Sequence, residues 1–100
     1  MNDKYECIFL DRDGTINIDP GYISSVKDLK FYDYTFQALE LLSSLTRSFI
    51  IITNQSGVSR GIINIDELNK IHEYIKLTFK KHNINLIDIL IATDHPDKEI

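Results

Sequence analysis

Short apolar runs at residues 5–10, 48–52 and Leu86–Ala92 alternate with longer stretches whose apolar residues recur at helical spacing. That alternation constrains the fold more than any other feature of the chain. Short, nearly continuous apolar strands suit a parallel sheet covered on both faces, and parallel neighbours need a long crossover, usually a helix. In the first crossover Asp33 is placed to cap a helix running to about Arg47, with Phe36, Leu39, Leu42 and Leu45 on one stripe. In the second, Asn64 stands three residues before Glu67, a capping-box spacing. It opens a helix with Leu68, Ile71, Ile75 and Phe79 on its inner face, ending near His82. Residues 83–85 form the exit. The order strand, helix, strand, helix, strand, with right-handed crossovers, predicts an α/β fold built on a three-stranded parallel sheet with flanking helices. At 100 residues, residues 1–100 are expected to form a single domain.

Composition limits the function classes. Hydrophobic residues make up 43% and charged residues 26% of the chain, as in ordinary soluble domains, and no apolar run approaches the roughly 18 residues of a membrane span. No membrane association is expected. The polar first residues leave no room for the basic and apolar regions of a secretory signal, which predicts a cytoplasmic protein. A net charge of -4 without a basic cluster argues against nucleic acid as a partner. A small anionic substrate held by local groups stays open. The single cysteine, Cys7, lies in an apolar run and reads as a buried small hydrophobe.

The chemistry gathers at two strand ends. Asp11-Arg12-Asp13-Gly14-Thr15 follows the first apolar run, and Thr53-Asn54-Gln55-Ser56-Gly57 follows the second. Parallel sheets bind ligands outside the carboxyl ends of their strands. A calcium loop would need glycine and glutamate at its sixth and twelfth positions, where this chain has Ile16 and Tyr22. A plain turn, with aspartates bonded to nearby amides, remains the alternative for the first motif taken alone. With both motifs, one carboxylate can act as nucleophile while the other, two residues on, gives or takes a proton. The Thr53 hydroxyl and nearby amides can donate to phosphoryl oxygens, with Gly57 permitting close backbone approach. A hard cation such as Mg2+ would be needed between the attacking carboxylate and an anionic phosphate. Residues 14–32, with the turn Asp19-Pro20-Gly21-Tyr22, are expected to form an excursion over the sheet edge. His72 and His82 are expected in ordinary surface roles.

These residues resemble those of the haloacid dehalogenase superfamily of phosphatases. The resemblance rests on Asp11-Arg12-Asp13-Gly14-Thr15-Ile16-Asn17, Asp19-Pro20-Gly21-Tyr22, and the longer run from Thr53 to Gly61. Asp-x-Asp-Gly-Thr points to the superfamily. The second run is narrower and points to its heptose bisphosphate and histidinol-phosphate phosphatases. The resemblance implies a Rossmann-like fold and a Mg2+-dependent phosphomonoesterase acting on a small sugar phosphate. By resemblance its role is the removal of the 7-phosphate of a heptose bisphosphate in lipopolysaccharide heptose supply. Histidinol-phosphate hydrolysis and a non-catalytic phosphate-binding module are the rivals. Asp11 would be the nucleophile that forms an aspartyl-phosphate. Asp13 would be general acid and then base, and both would hold Mg2+, Asp13 through its backbone carbonyl. Thr53 would bind the transferring phosphoryl group. Arg12, Asp19, Pro20, Gly21, Tyr22, Asn54, Gln55 and Ser56 match substrate-binding segments, and Arg60 is a candidate for a second phosphate.

The chain departs from that pattern in two places. Many heptose phosphatases follow the third strand with a Cys-Pro-His-His-Pro segment that, with later cysteines, binds zinc, whereas this chain reads Ala92-Thr93-Asp94-His95-Pro96. Zinc is not expected. Nor does the chain contain the family's later lysine and its fourth-strand metal-binding aspartate, which predicts a fold truncated after the third strand. The fourth strand lies beside the first in the family. Without it the first strand becomes a sheet edge with unpaired backbone groups, open to self-association.

Overall fold

In the computed structural model, which describes residues 4–19, 21 and 23–92, the apolar runs become three parallel strands in the order β1-β2-β3. β1 is Ile8–Asp11, β2 is Phe49–Asn54 and β3 is Leu86–Ala92. β3 has the bounds read from the sequence. β1 begins three residues late, and β2 runs past residue 52 because Thr53 and Asn54 find ladder partners in Ile91 and Ala92. That extension seats Thr53 on a strand instead of in a loop.

The register gives each row of the sheet one face. Leu10, Ile51 and Ile89 share a row on the inner face. The core there unites Phe49, Ile51 and Ile89 with Leu39 of α1 (Thr35–Leu42) and Ile71, Ile75 and Phe79 of α3 (Ile65–Lys81). Burying each such side chain contributes about 1.5–3 kcal/mol. Phe36 ties α1 to the end of α3, edge-on to Phe79 at 5.4 Å and stacked on His82 at 4.1 Å. Both long helices therefore cover one face, as same-handed crossovers between strands in sequential order require. The strands were expected to be covered on both faces. The outer face, with Phe9 60%, Ile52 44% and Leu90 45% exposed, is open among the described residues.

Two helical expectations need correction. Asp33 does not cap α1; Tyr34 holds that position, without a side-chain cap bond, while the Thr35 hydroxyl donates to the Ile16 carbonyl at 2.7 Å. The helix also stops at Leu42, well short of Arg47. Beyond it the amides of Ser44 and Leu45 bond three residues back, to the Leu41 and Leu42 carbonyls, and the Ser43 and Ser44 hydroxyls also turn back onto the Leu39 and Leu41 carbonyls. α3 matches its signal. The Asn64 side chain accepts from the amides of Asp66 and Glu67. A four-residue helix α2, Ser56–Ser59, follows β2 and had no signal in the sequence reading.

Between β1 and α1 the chain leaves the sheet and returns as expected. Asn17 pairs with Phe31, the Ile18 amide donates to the Lys30 carbonyl at 2.8 Å, and a single 3-10 turn spans Val26–Asp28. Cys7 is half-buried instead of fully buried. No helix of the described residues is long and apolar enough to cross a membrane.

Candidate active site

The site is built by the first turn after β1 and the first residues past Ile52 on β2. Asp11 ends β1 with its side chain exposed. The amides of Thr15, Ile16 and Asn17 then all donate to the Arg12 carbonyl, and the Gly14 amide donates to the Asn17 carbonyl at 2.7 Å. This tight loop needs φ +84° at Gly14, a left-handed value that glycine adopts without steric cost.

The loop places Asp13 at the centre of a polar cluster. Its Oδ1 accepts from Arg12 Nε at 2.9 Å, Arg12 Nη2 at 2.6 Å and Asn17 Nδ2 at 2.9 Å. Its Oδ2 accepts from Gln55 Nε2 at 2.8 Å. The same Gln55 amide nitrogen donates to Thr53 Oγ1 at 2.7 Å, so one side chain ties the β1 loop to the end of β2. That contact occupies a lone pair of the Thr53 hydroxyl and leaves its hydrogen available as a donor.

Arg12 is turned inward, with only 1% of its surface exposed. A buried guanidinium requires a counter-charge and filled donors. Asp13 supplies the charge, and His72 Nε2 lies 3.1 Å from Nη1. His72 corrects the surface role expected of it, since α3 presents it inward and it is buried. The signal was present, for His72 falls at helical spacing with Leu68, Ile75 and Phe79 on the apolar stripe. His82 does sit at the surface, stacked on Phe36. Burial, reinforced by the Arg12 cation, lowers the His72 pKa to about 4. The imidazole is therefore neutral at pH 7. Its Nδ1 is buried without a hydrogen-bond partner among the described residues, which costs about 1–3 kcal/mol.

An open pocket of about 260 Å³ lies above this cluster, lined by Asp11, Arg12 and Asp13 from the first motif, Asp19 and Gly21 from the excursion, and Thr53, Asn54 and Gln55 from β2 and its end. The structure thus gathers most of the residues singled out in the sequence. Gly21 donates its amide to the Asp19 carboxylate, closing a local turn. Ser56 begins α2 half-buried and Arg60 caps its end, exposed; neither lines this pocket. Pro20 and Tyr22 lie outside the described residues, as do His95 and Pro96. Asn17 went unremarked as a site residue, although it lies within the first motif.

The carboxylates fit a partly hydrated hard cation. No cluster of three or more acidic, histidine or cysteine ligands exists among the described residues. Mg2+ commonly takes one or two carboxylates and completes its shell with water and substrate phosphate. Asp11 offers an exposed carboxylate, while both oxygens of Asp13 are already engaged.

The three-stranded parallel fold with its flanking helices is that of haloacid dehalogenase-like proteins. No family model matches the chain, but curated relatives do. The chain is 34% identical over 97 residues to the D-glycero-β-D-manno-heptose-1,7-bisphosphate 7-phosphatase of Photorhabdus laumondii, covering 97% of this chain and 52% of that protein. It is 36% identical over 94 residues to the enzyme of the same name from Helicobacter pylori, covering 93% and 54%. Among solved structures, the D,D-heptose 1,7-bisphosphate phosphatase of B. bronchiseptica, complexed with magnesium and phosphate, superposes with a TM-score of 0.83 at 26% identity, covering 96% of this chain and 54% of that one. The chain is similar to about half of each of these heptose bisphosphate phosphatases. It spans about half the length of the curated relatives it matches, corresponding to their N-terminal part.

Proposed function

We propose that this chain carries the nucleophile-bearing half of a Mg2+-dependent phosphomonoesterase site that hydrolyses the 7-phosphate of D-glycero-D-manno-heptose 1,7-bisphosphate. The observation that carries the reading is the placement of Asp11, Asp13 and Thr53 around one pocket, with Asp13 held by Arg12, Asn17 and Gln55. An Asp11 oxygen attacks phosphorus, and the phosphate–alkoxide bond breaks. Asp13 delivers its proton to the leaving alkoxide. Asp13 then removes a proton from water as that water attacks the aspartyl-phosphate, which releases inorganic phosphate and restores the Asp11 carboxylate and the protonated Asp13. Thr53 donates to the phosphoryl oxygens. Bound Mg2+ would supply positive charge between the Asp11 carboxylate and the phosphate, which at about 4 Å repel by roughly 4 kcal/mol at intermediate dielectric.

Three aspartates and one buried arginine line the pocket, an acidic balance that disfavours a phosphate ester. The 100 residues alone are accordingly proposed to turn over slowly. One missing compensating charge is worth on the order of 4 kcal/mol, roughly 1,000-fold in rate. The test measures phosphate release with Mg2+ from heptose bisphosphate and from histidinol phosphate. It compares the chain alone with the chain completed by the second half of a curated relative. Preference for heptose bisphosphate by the completed chain is expected. Preference for histidinol phosphate would overturn the substrate, and no turnover by a folded, completed chain would leave a phosphate-binding module.

A further inference from the structure

The two oxygens of Asp13 are not equivalent. Oδ1 accepts from three donors, two of them on the Arg12 guanidinium, whereas Oδ2 accepts only from Gln55. An oxygen whose lone pairs are filled by donors has no room for a proton, so the proton that a general acid must carry falls to Oδ2. This asymmetry depends on how the guanidinium is turned. Arg12 makes its fork with Nε and Nη2, and that edge faces Asp13 only while Nη1 points the other way. What holds Nη1 is His72, brought from α3, 60 positions along the chain.

We propose that His72 is a positioning residue for Asp13. Its Nε2 lone pair accepts from Arg12 Nη1, locks the guanidinium fork on Oδ1, and so reserves Oδ2 for the transferred proton. A guanidinium has donors only, so the contact requires an unprotonated Nε2, and the neutral ring must carry its hydrogen on Nδ1. The geometry explains why a histidine stands on an otherwise apolar stripe of α3. A leucine there would fill the space but leave Nη1 buried without an acceptor. The proposal rests on the phosphoryl-transfer reading of Asp13, while the arrangement itself can be measured without turnover.

The test uses residues 1–100 labelled with 15N, as wild type, His72→Leu and His72→Gln. In the wild type the His72 ring should show a protonated Nδ1 and a bare Nε2. Exchange of the Arg12 Nε hydrogen should be slow. His72→Leu should accelerate that exchange at least about tenfold and move the side-chain amide signals of Asn17 and Gln55. His72→Gln should restore both, because its carbonyl can stand where Nε2 stood. Should His72→Leu fail to fold, the wild-type tautomer and the His72→Gln spectrum decide. A protonated Nε2 in the neutral ring would overturn the proposal, as would a folded His72→Leu variant with unchanged Arg12, Asn17 and Gln55 signals. Addition of Mg2+ and beryllofluoride, a phosphoryl mimic, to the chain completed by the second half of a curated relative separates the two ideas. If Asp11 and Thr53 do not respond while the His72 signature holds, the phosphoryl-transfer reading fails and the Arg12 arrangement stands.

Discussion

Asp11 and Asp13 lie two positions apart, yet their surroundings differ. Asp11 is exposed at the strand end, whereas Asp13 is held by four donor groups on three side chains. In the completed enzyme Asp11→Asn should abolish phosphate release, since an amide is a poor nucleophile and a poor Mg2+ ligand. Near-normal steady-state turnover would exclude a covalent route through Asp11. Asp13→Asn should lose roughly 100-fold to 10,000-fold in rate. That variant also strips the counter-charge from buried Arg12, so its folded fraction has to be measured alongside, because breaking a buried pair can cost about 3–5 kcal/mol. His72 adds a pH dependence to stability. Its pKa falls from 6.5 to about 4 on folding, so between those values the unfolded chain binds more protons than the folded one. Stability therefore drops as pH falls through that window and levels off below it, by at most about 3 kcal/mol. Urea denaturation of wild type and His72→Gln at pH 7 and pH 4.5 should show the larger loss in the wild type. Equal losses would mean that the imidazole titrates normally.

At the scale of elements, helix ends decide as much as helix faces. α3 runs its full expected course because Asn64 satisfies two orphan amides at its start and Lys80 and Lys81 lie in its last turn. Asn64→Ala should cost about 1 kcal/mol of stability, read as a shift in the denaturation midpoint with unchanged slope. No shift would show that the cap contributes nothing beyond what water supplies. α1 has a similar apolar stripe but lacks a side-chain cap and meets two serines, and it ends after eight residues. Its attachment comes instead from Phe36, edge-on to Phe31 and Phe79.

At the scale of the whole molecule, a sheet built for two layers of cover has one among the described residues. Rows Phe9–Ile50–Asp88 and Asp11–Ile52–Leu90 point away from both long helices, and β1 pairs only with β2 among the described residues. Asp11, the proposed nucleophile, belongs to this open face, so whatever covers Phe9, Ile52 and Leu90 also borders it. An unpaired edge beside an uncovered apolar face invites association between copies. Sedimentation of the 100-residue chain at micromolar concentration should reveal dimers or larger species. A stable, well-folded monomer would show that the open face tolerates water.

The sequence by itself determined the parallel three-stranded order, the run of β3, the capped start of α3 and the two motifs at the strand ends. Each depends on local periodicity or on side chains within a few residues of one another. Tertiary structure decided what required distant partners. It extended β2 through Thr53 because β3 offered a ladder that far, cut α1 short, and left one sheet face bare among the described residues because both helices cross on the same side. It also turned Arg12 inward to meet Asp13 and a histidine on α3. A buried guanidinium takes its acceptors wherever the fold brings them, and no spacing along the chain announces which histidine that will be.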